Sequence, residues 1–133
     1  MEQRITIITL GVSDLKKSRA FYEEKFGWIP LPASSDDIIF FQLNSIQLAL
    51  FPAHALAEDA QVAGAGSGFK KFSMAYNVRS EKEVDELVSE LQSRGVHVLK
   101  SPQKVFWGGY SAYVEDVDHN LWEIAFNPYL VPE

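Results

Sequence analysis

Apolar and polar positions alternate along the chain as in a strand, then recur at helical spacing, and this succession occurs twice. In the first half, the β-branched stretch Ile5–Leu10 predicts a strand that continues towards Val12. Ser13 and Asp14 are suitable helix N-caps, and the apolar stripe that follows them ends at Gly27, which suits a left-handed helix end. Three further strands are predicted over Trp28–Leu31, Ile38–Leu43 and Ile46–Phe51.

The second half repeats this order of elements. The apolar and β-branched stretch Phe72–Val78 predicts a strand. Ser80 and Glu83 have the spacing of a capping box, and the helix that they begin is expected to end at Gly95. The remaining strands are predicted over Val96–Lys100, which Pro102 should end, and over Tyr110–Glu115 and Leu121–Phe126.

The repeat predicts an α+β fold of two tandem β-α-β-β-β modules within one domain of residues 1–133. The modules lie at about 4–52 and 70–128, and the Ala- and Gly-rich residues 53–69 connect them. Each module's helix covers one face of its mixed sheet. The two uncovered faces are therefore expected to form a cup-like cavity.

Composition and charge narrow the classes of function. The 133 residues are 47% apolar and 13% aromatic, so a packed core is expected. Cysteine is absent, which excludes disulfides, thiolate metal ligands and a cysteine nucleophile. Twelve basic residues against 18 acidic ones give a formal charge of −6, which argues against a nucleic-acid partner. No apolar run approaches the ~20 residues of a membrane span and no signal-peptide pattern is seen, so a cytoplasmic protein without a membrane partner is expected.

Two stretches carry a resemblance to a known superfamily. One is Leu10–Leu15, followed by Phe21-Tyr22 and Phe26-Gly27, and the other is Asp116–Ile124. With the repeated module, they resemble the vicinal oxygen chelate superfamily, which contains glyoxalase I, bleomycin-resistance proteins, fosfomycin-resistance enzymes and extradiol dioxygenases. The resemblance covers nearly the whole chain and implies the glyoxalase/bleomycin-resistance fold.

The resemblance also implies four metal-ligand positions, which in metal-binding members hold His or Glu. The residues of this chain at those positions are Ile7, Gln47, Ser73 and Glu123. Ile7 has no donor atom, and Gln47 and Ser73 offer only neutral oxygens, whereas transition metals favour imidazole and carboxylate. Only Glu123 matches. No cofactor is therefore expected, a divalent metal stays the alternative, and glyoxalase I activity proper is argued against.

The three histidines do not replace the missing ligands. His54 lies in the connector, His97 in the short strand after the second helix and His119 in the last turn. None is paired with another at a metal-ligand spacing. His119 occupies a position where the superfamily often has glycine, so a left-handed conformation is expected there. This pattern leaves a functional role for His119 open.

Strand alternation assigns the residues that face the cavity. The polar residues on that face are expected to be Thr9, Gln47, Ser73, Asn77 and Glu123. A few polar groups on an otherwise apolar surface are typical of small-molecule sites. Glu123 is the candidate general acid or base, and the others are candidate ligand contacts. The alternative is a hydrogen-bonded network that fills the place of a lost metal.

The segment Phe106–Tyr110 combines two glycines with three aromatic residues. This combination predicts a bend or bulge with large rings around it. Trp107 and Tyr110 are accordingly candidate ligand contacts by stacking. Tyr113 is expected to be part of the aromatic core.

These observations favour a small-molecule-binding member of the superfamily that lacks the usual metal. The −6 charge and the aromatic segment are compatible with the resemblance to bleomycin-resistance proteins, which act by binding alone and have an acidic, aromatic-lined groove. One alternative is an enzyme of glyoxalase, lyase, isomerase or dioxygenase type that uses Glu123 as a metal ligand or acid–base group. Another is an assembly or regulatory module. The resemblance implies a homodimer, and the ligand is not identified by the sequence.

Overall fold

The computed structural model describes residues 1–132, which fall into two compact units, Met1–Gly68 and a second unit that begins at Phe69. Each unit contains a mixed β-sheet with an α-helix that follows its first strand. The α+β class and the repeat of a β-α-β unit are thereby confirmed. The boundary between the units falls at the C-terminal end of the predicted connector.

Unit 1 has a three-stranded sheet. Its elements are β1 (Ile7–Val12), α1 (Leu15–Glu24), β2 (Ile39–Gln42), β3 (Gln47–Pro52) and α2 (Ala53–Ala60). The central strand β3 pairs in parallel with β1 and antiparallel with β2. The Leu43 N–H donates to the Ile46 carbonyl at 2.9 Å, which closes the predicted tight turn between β2 and β3.

The predicted strand Trp28–Leu31 is wrong, because this segment is irregular. Its one ladder-like bond is from the Leu31 N–H to the Phe40 carbonyl at 2.8 Å. Pro30 and Pro32 flank Leu31 and have no N–H to donate, so the pairing cannot extend on either side. The first module is consequently β-α-β-β, not β-α-β-β-β.

The core of unit 1 lies between α1 and one face of the sheet. Aromatic rings form a continuous cluster there, with neighbouring centroids 5.3–5.8 Å apart. The cluster consists of Phe21, Tyr22, Phe26, Trp28 and Phe41. Asp14 caps α1 by accepting from the Lys17 N–H, as the sequence predicts. Gly27 adopts a φ of 74° just after the helix, which is the predicted left-handed conformation.

Unit 2 has a four-stranded sheet. Its elements are β4 (Ser73–Val78), α3 (Glu81–Ser93), β5 (His97–Lys104), β6 (Tyr110–Glu115) and β7 (Leu121–Phe126). The strand order is β4-β7-β6-β5, with β4 parallel to β7 and the other pairs antiparallel. The apolar face packs on α3, through core residues that include Val84, Val88, Leu91, Trp122 and Ile124. The predicted order of this module is therefore confirmed.

Local signals fix both ends of α3. Ser80 accepts from the Glu83 N–H at 3.1 Å, and the Glu83 carboxylate accepts from the Arg79 N–H at 2.8 Å. Gly95 has a φ of 88°, which ends the helix as expected. The expectation that Pro102 ends β5 is wrong, since the strand continues to Lys104. This is possible because β5 is an edge strand whose register shifts between Lys100 and Gln103, so no inner ladder bond is lost.

Candidate functional site

The segment Asp116–Asn120 is a hydrogen-bonded turn between β6 and β7. The buried Asp116 carboxylate accepts from the Asp118 N–H at 2.9 Å, the Asn120 N–H at 2.8 Å and the Asn120 side-chain amide at 2.8 Å. Lys70 donates to the Asp118 carbonyl at 2.9 Å and to the Asn120 side-chain oxygen at 3.1 Å. The Asp116 carboxylate and the Asp118 backbone thus fix the shape of the turn. The turn brings β7 back beside β6.

His119 adopts the left-handed conformation that the sequence predicts, with a φ of 63°. Its Nδ1 lies 3.1 Å from one oxygen of Glu115, while Nδ1 of His97 lies 2.7 Å from the other oxygen. Burial disfavours the charge of Glu115, but hydrogen bonds from His97 and His119 more than offset this, so the pKa of Glu115 is lowered. This three-residue cluster joins the edge strand β5 to the last turn. The strand and turn that hold the two histidines were predictable from the sequence, but their shared partner Glu115 was not.

The face of the unit 2 sheet opposite α3 carries a second polar cluster. Tyr113 on β6 and Glu123 on β7 are direct cross-strand partners, and Glu123 is also beside Ala75 of β4. Ser73, two residues before Ala75, lies on the same face. The side chains of Glu123 and Ser73 both act on the phenol of Tyr113 and change its pKa. Ser73, Tyr113 and Glu123 therefore form a connected group, which we call the open-face triad.

The open-face triad has a defined donor order. The phenol of Tyr113 donates to the Glu123 carboxylate, since an ionised carboxylate only accepts. Burial and the charge of Glu123 raise the pKa of Tyr113, and the interaction with the Ser73 hydroxyl opposes that rise. Glu123 is half-buried, which leaves it room for a further donor. The triad can accordingly bind a cationic or hydrogen-bond-donating group.

Asn77 lies on the same face, one alternation beyond Ala75 on β4. Its side-chain amide donates to the Leu130 carbonyl at 3.2 Å, so the chain after β7 returns to this face. Ser73, Asn77 and Glu123 are thus brought onto one sheet face, as strand alternation predicts. Their roles as ligand contacts stay predictions.

Thr9 and Gln47 belong to unit 1. Thr9 is exposed on β1, and Gln47 begins β3 with its side-chain amide 3.3 Å from the Gln42 side-chain oxygen. Ile7, the partner of Gln47 in the parallel pair, is 41% exposed on the same face. The opposite face of the sheet carries the buried Leu10. The alternation assigned by sequence is confirmed here, and the ligand-binding roles stay predictions.

The aromatic segment forms the hairpin turn between β5 and β6. The Gly108 N–H donates to the Val105 carbonyl at 3.1 Å, and Gly108 has a φ of 94°. The Trp107 ring folds back over Gly109, so closely that a Cβ on Gly109 would lie 1.9 Å from it. Phe106 at the tip is fully exposed. The predicted bend is present. It leaves the Phe106 ring exposed and places the Trp107 ring against Gly109.

Tyr110 lies on the face that packs on α3, where its hydroxyl donates to Asp85 at 2.7 Å. This hydrogen bond raises the pKa of Tyr110, and burial and the charges of Asp85 and Glu81 add to the effect. Tyr113, expected in the aromatic core, instead belongs to the open-face triad. Strand alternation applied to 110–115 puts Tyr113 on the face opposite Tyr110, and this was the signal that could have identified it.

The residues at the superfamily's metal positions do not fit a metal site. In unit 1 these positions hold Ile7, without a donor, and Gln47, whose amide contacts Gln42. In unit 2 Ser73 offers only a neutral hydroxyl, and Glu123 is the single carboxylate, beside the phenol of Tyr113. Within residues 1–132, no group of three or more His, Asp or Glu side chains is placed to hold a metal ion. No step that requires a metal is therefore derived from these positions.

Comparison with known proteins agrees with this architecture. The profile of the Glyoxalase/Bleomycin resistance protein/Dioxygenase superfamily matches residues 4–124. The chain belongs to this superfamily.

Superfamily relatives differ in what they do. The chain is 27% identical over 123 residues to the fosfomycin resistance protein FosX of Listeria innocua, covering 88% of this chain and 84% of the relative. It is 25% identical over 107 residues to the mitochondrial methylmalonyl-CoA epimerase of Bos taurus, covering 77% of this chain and 60% of the relative. The crystal structure of a glyoxalase-related enzyme from Fulvimarina pelagi aligns with a TM-score of 0.85 at 41% identity, covering 96% of this chain and 90% of that one. Across residues 1–132, no helix is long and apolar enough to cross a membrane.

Proposed function

We propose that the protein binds a small aromatic or amphipathic molecule on the open face of the unit 2 sheet, without a metal. The observation that supports this most directly is the open-face triad, in which the phenol of Tyr113 is the cross-strand partner of Glu123 and interacts with its charge. A half-buried carboxylate next to a phenol favours a cationic or hydrogen-bond-donating ligand. The net charge of −6 favours the same class of ligand.

Further contacts extend this proposal. Asn77 offers an amide on the same face as the triad, and Trp107 is proposed to contact the body of the ligand. Within unit 1, Thr9 and Gln47 stay proposed ligand contacts. Tyr110 is a weaker candidate, because its hydroxyl is bound to Asp85. A cytoplasmic homodimer is the proposed working form.

Native mass spectrometry of the untagged protein tests the proposal first, because it reports metal, oligomer and retained organic molecules together. Titration calorimetry with procainamide, a cationic aromatic amide, follows on protein treated with a chelator. Glu123→Gln should weaken binding about tenfold or more, since hydrogen bonds to charged groups contribute about 1.5–3 kcal/mol. Glu86→Gln removes the same charge from the exposed face of α3 and serves as the matched control. Equal affinity of the two variants, or a stoichiometric transition metal bound through Glu123, would count against the proposal.

The second candidate function is metal-free acid–base catalysis at the same triad. The hydrogen-bonded phenol and carboxylate favour it, because one group can donate a proton while the other accepts one. The methylmalonyl-CoA epimerase among the relatives is an enzyme by name. Glu123 would accept a proton from a carbon acid, and Tyr113 would donate one to the developing oxygen anion. Exchange of substrate protons with deuterated solvent, lost in Glu123→Gln, is the measurement that separates catalysis from binding alone.

A further inference from the structure

The chain after β7 folds back onto the open face of its own sheet. Asn127 organises the return, since its backbone carbonyl accepts from the Leu130 N–H at 3.0 Å and its side-chain oxygen accepts from the Tyr129 N–H at 2.9 Å. This turn aims the Leu130 carbonyl at the Asn77 side-chain amide. We call residues 128–132 the C-terminal strap.

The strap reaches both sides of the sheet's end. Asn77 lies on the edge strand β4, whereas Gly108 lies in the turn between β5 and β6. The Tyr129 hydroxyl stands 3.8 Å from where a Cβ on Gly108 would be. Between these two points the sheet row contains Ala125 and Ser111, which are 2% and 1% exposed although they lie on the face opposite α3. The strap therefore occupies the end of the open face next to the triad.

The strap is weakly held. Its large side chains are substantially exposed, Tyr129 by 82%, Leu130 by 67% and Val131 by 47%. Its attachment beyond the local turn is the Asn77 hydrogen bond and the ring beside Gly108. A single neutral hydrogen bond contributes little net stability. The strap can consequently be displaced by a molecule that offers Asn77 another acceptor.

We propose that the C-terminal strap is an internal competitor, in which the Leu130 carbonyl occupies the Asn77 amide until a ligand carbonyl replaces it. This inference rests on the proposed function and adds a ligand feature, namely a carbonyl oxygen next to the cationic or donating group that Glu123 binds. The strap thereby lowers the apparent affinity for every ligand that needs Asn77.

The test compares the full chain with a variant that ends at Asn127, using procainamide, whose amide carbonyl is the competing acceptor. We expect the shortened chain to bind procainamide about threefold to tenfold more tightly, because one competing hydrogen bond to Asn77 is removed. Asn77→Ala in the shortened chain should remove that gain. Tyr129→Ala in the full chain, which keeps the Leu130 carbonyl, should give a smaller gain and covers the case in which the shortened chain does not fold.

A ligand-free measurement separates this inference from the proposed function. The side-chain amide signals of Asn77 in ¹⁵N NMR spectra should shift on shortening, because their acceptor is removed. Unmoved signals would overturn the strap, whether or not procainamide binds. Equal or weaker binding by the shortened chain would also overturn the strap while leaving the proposed function in place. Shifted signals with no procainamide binding to either chain would support the contact and count against the proposed function.

Discussion

The buried hydroxyl of Ser18 gives the sharpest stability prediction. Ser18 is on the core side of α1 with 0% exposure, and its Oγ has no hydrogen-bond partner among the described residues. A buried hydroxyl without a partner costs about 1–3 kcal/mol relative to hydration in water. Ser18→Ala removes that cost and adds about 0.5 kcal/mol of helix propensity. The small void left by the missing oxygen lowers the free energy of unfolding by roughly 0.3 kcal/mol.

The net expectation is that Ser18→Ala raises the free energy of unfolding by about 1–3 kcal/mol. Urea unfolding followed by tryptophan fluorescence measures it, because Trp28 lies in the aromatic cluster that α1 covers. Ser89→Ala is the matched control, since Ser89 is an exposed residue within α3 and reports the propensity term alone. A Ser18→Ala variant less stable than the native chain would refute the reasoning, because it would mean that the hydroxyl is satisfied.

Three further changes test other parts of unit 2. Gly109→Ala should destabilise the protein by about 1–3 kcal/mol, because its Cβ would displace the Trp107 ring. In a Trp107→Leu background, urea unfolding should show that the same substitution destabilises the protein much less. Glu115 has a lowered pKa in the folded state, so its ionisation stabilises the fold above its unfolded pKa, and this contribution is lost as the pH falls through its folded pKa. The free energy of unfolding measured against pH should therefore fall less steeply in Glu115→Gln under acidic conditions, and parallel curves would contradict this. Tyr113→Phe should remove one phenol that ionises above its ordinary pKa, seen as a lost late step in an ultraviolet titration, and an unchanged curve would argue against the triad.

Local sequence signals predicted most of the fold because they are short in range. The capping box at Ser80, the glycine at 95 and the two-residue turn before Ile46 each act within a few residues, and each is found where expected. The prediction of a strand over residues 28–31 was wrong for a reason that is also visible in the sequence. Its apolar residues satisfy the strand pattern, but Pro30 and Pro32 remove the donors that a ladder needs. The hydrophobic pattern alone does not show that these backbone donors are missing.

The candidate site was only partly predictable, because it depends on contacts between distant residues. Alternation correctly placed Ser73 and Glu123 on one face. It did not reveal that Tyr113 links them, since a tyrosine among apolar residues equally suits a core. The same limit applies to Asn77, which alternation placed correctly but whose partner is a backbone carbonyl 53 residues later. No residue type marks such a partner.

The exposed tip of the β5–β6 hairpin offers a practical handle. Phe106 is fully exposed, and the chain contains no cysteine. Phe106→Cys would thus introduce the sole thiol of the protein, at a position where no packing is lost. A spin label or fluorophore attached there would stand two residues from Gly108, beside the Tyr129 ring. Strap detachment would then become a spectroscopic signal that can be followed in real time.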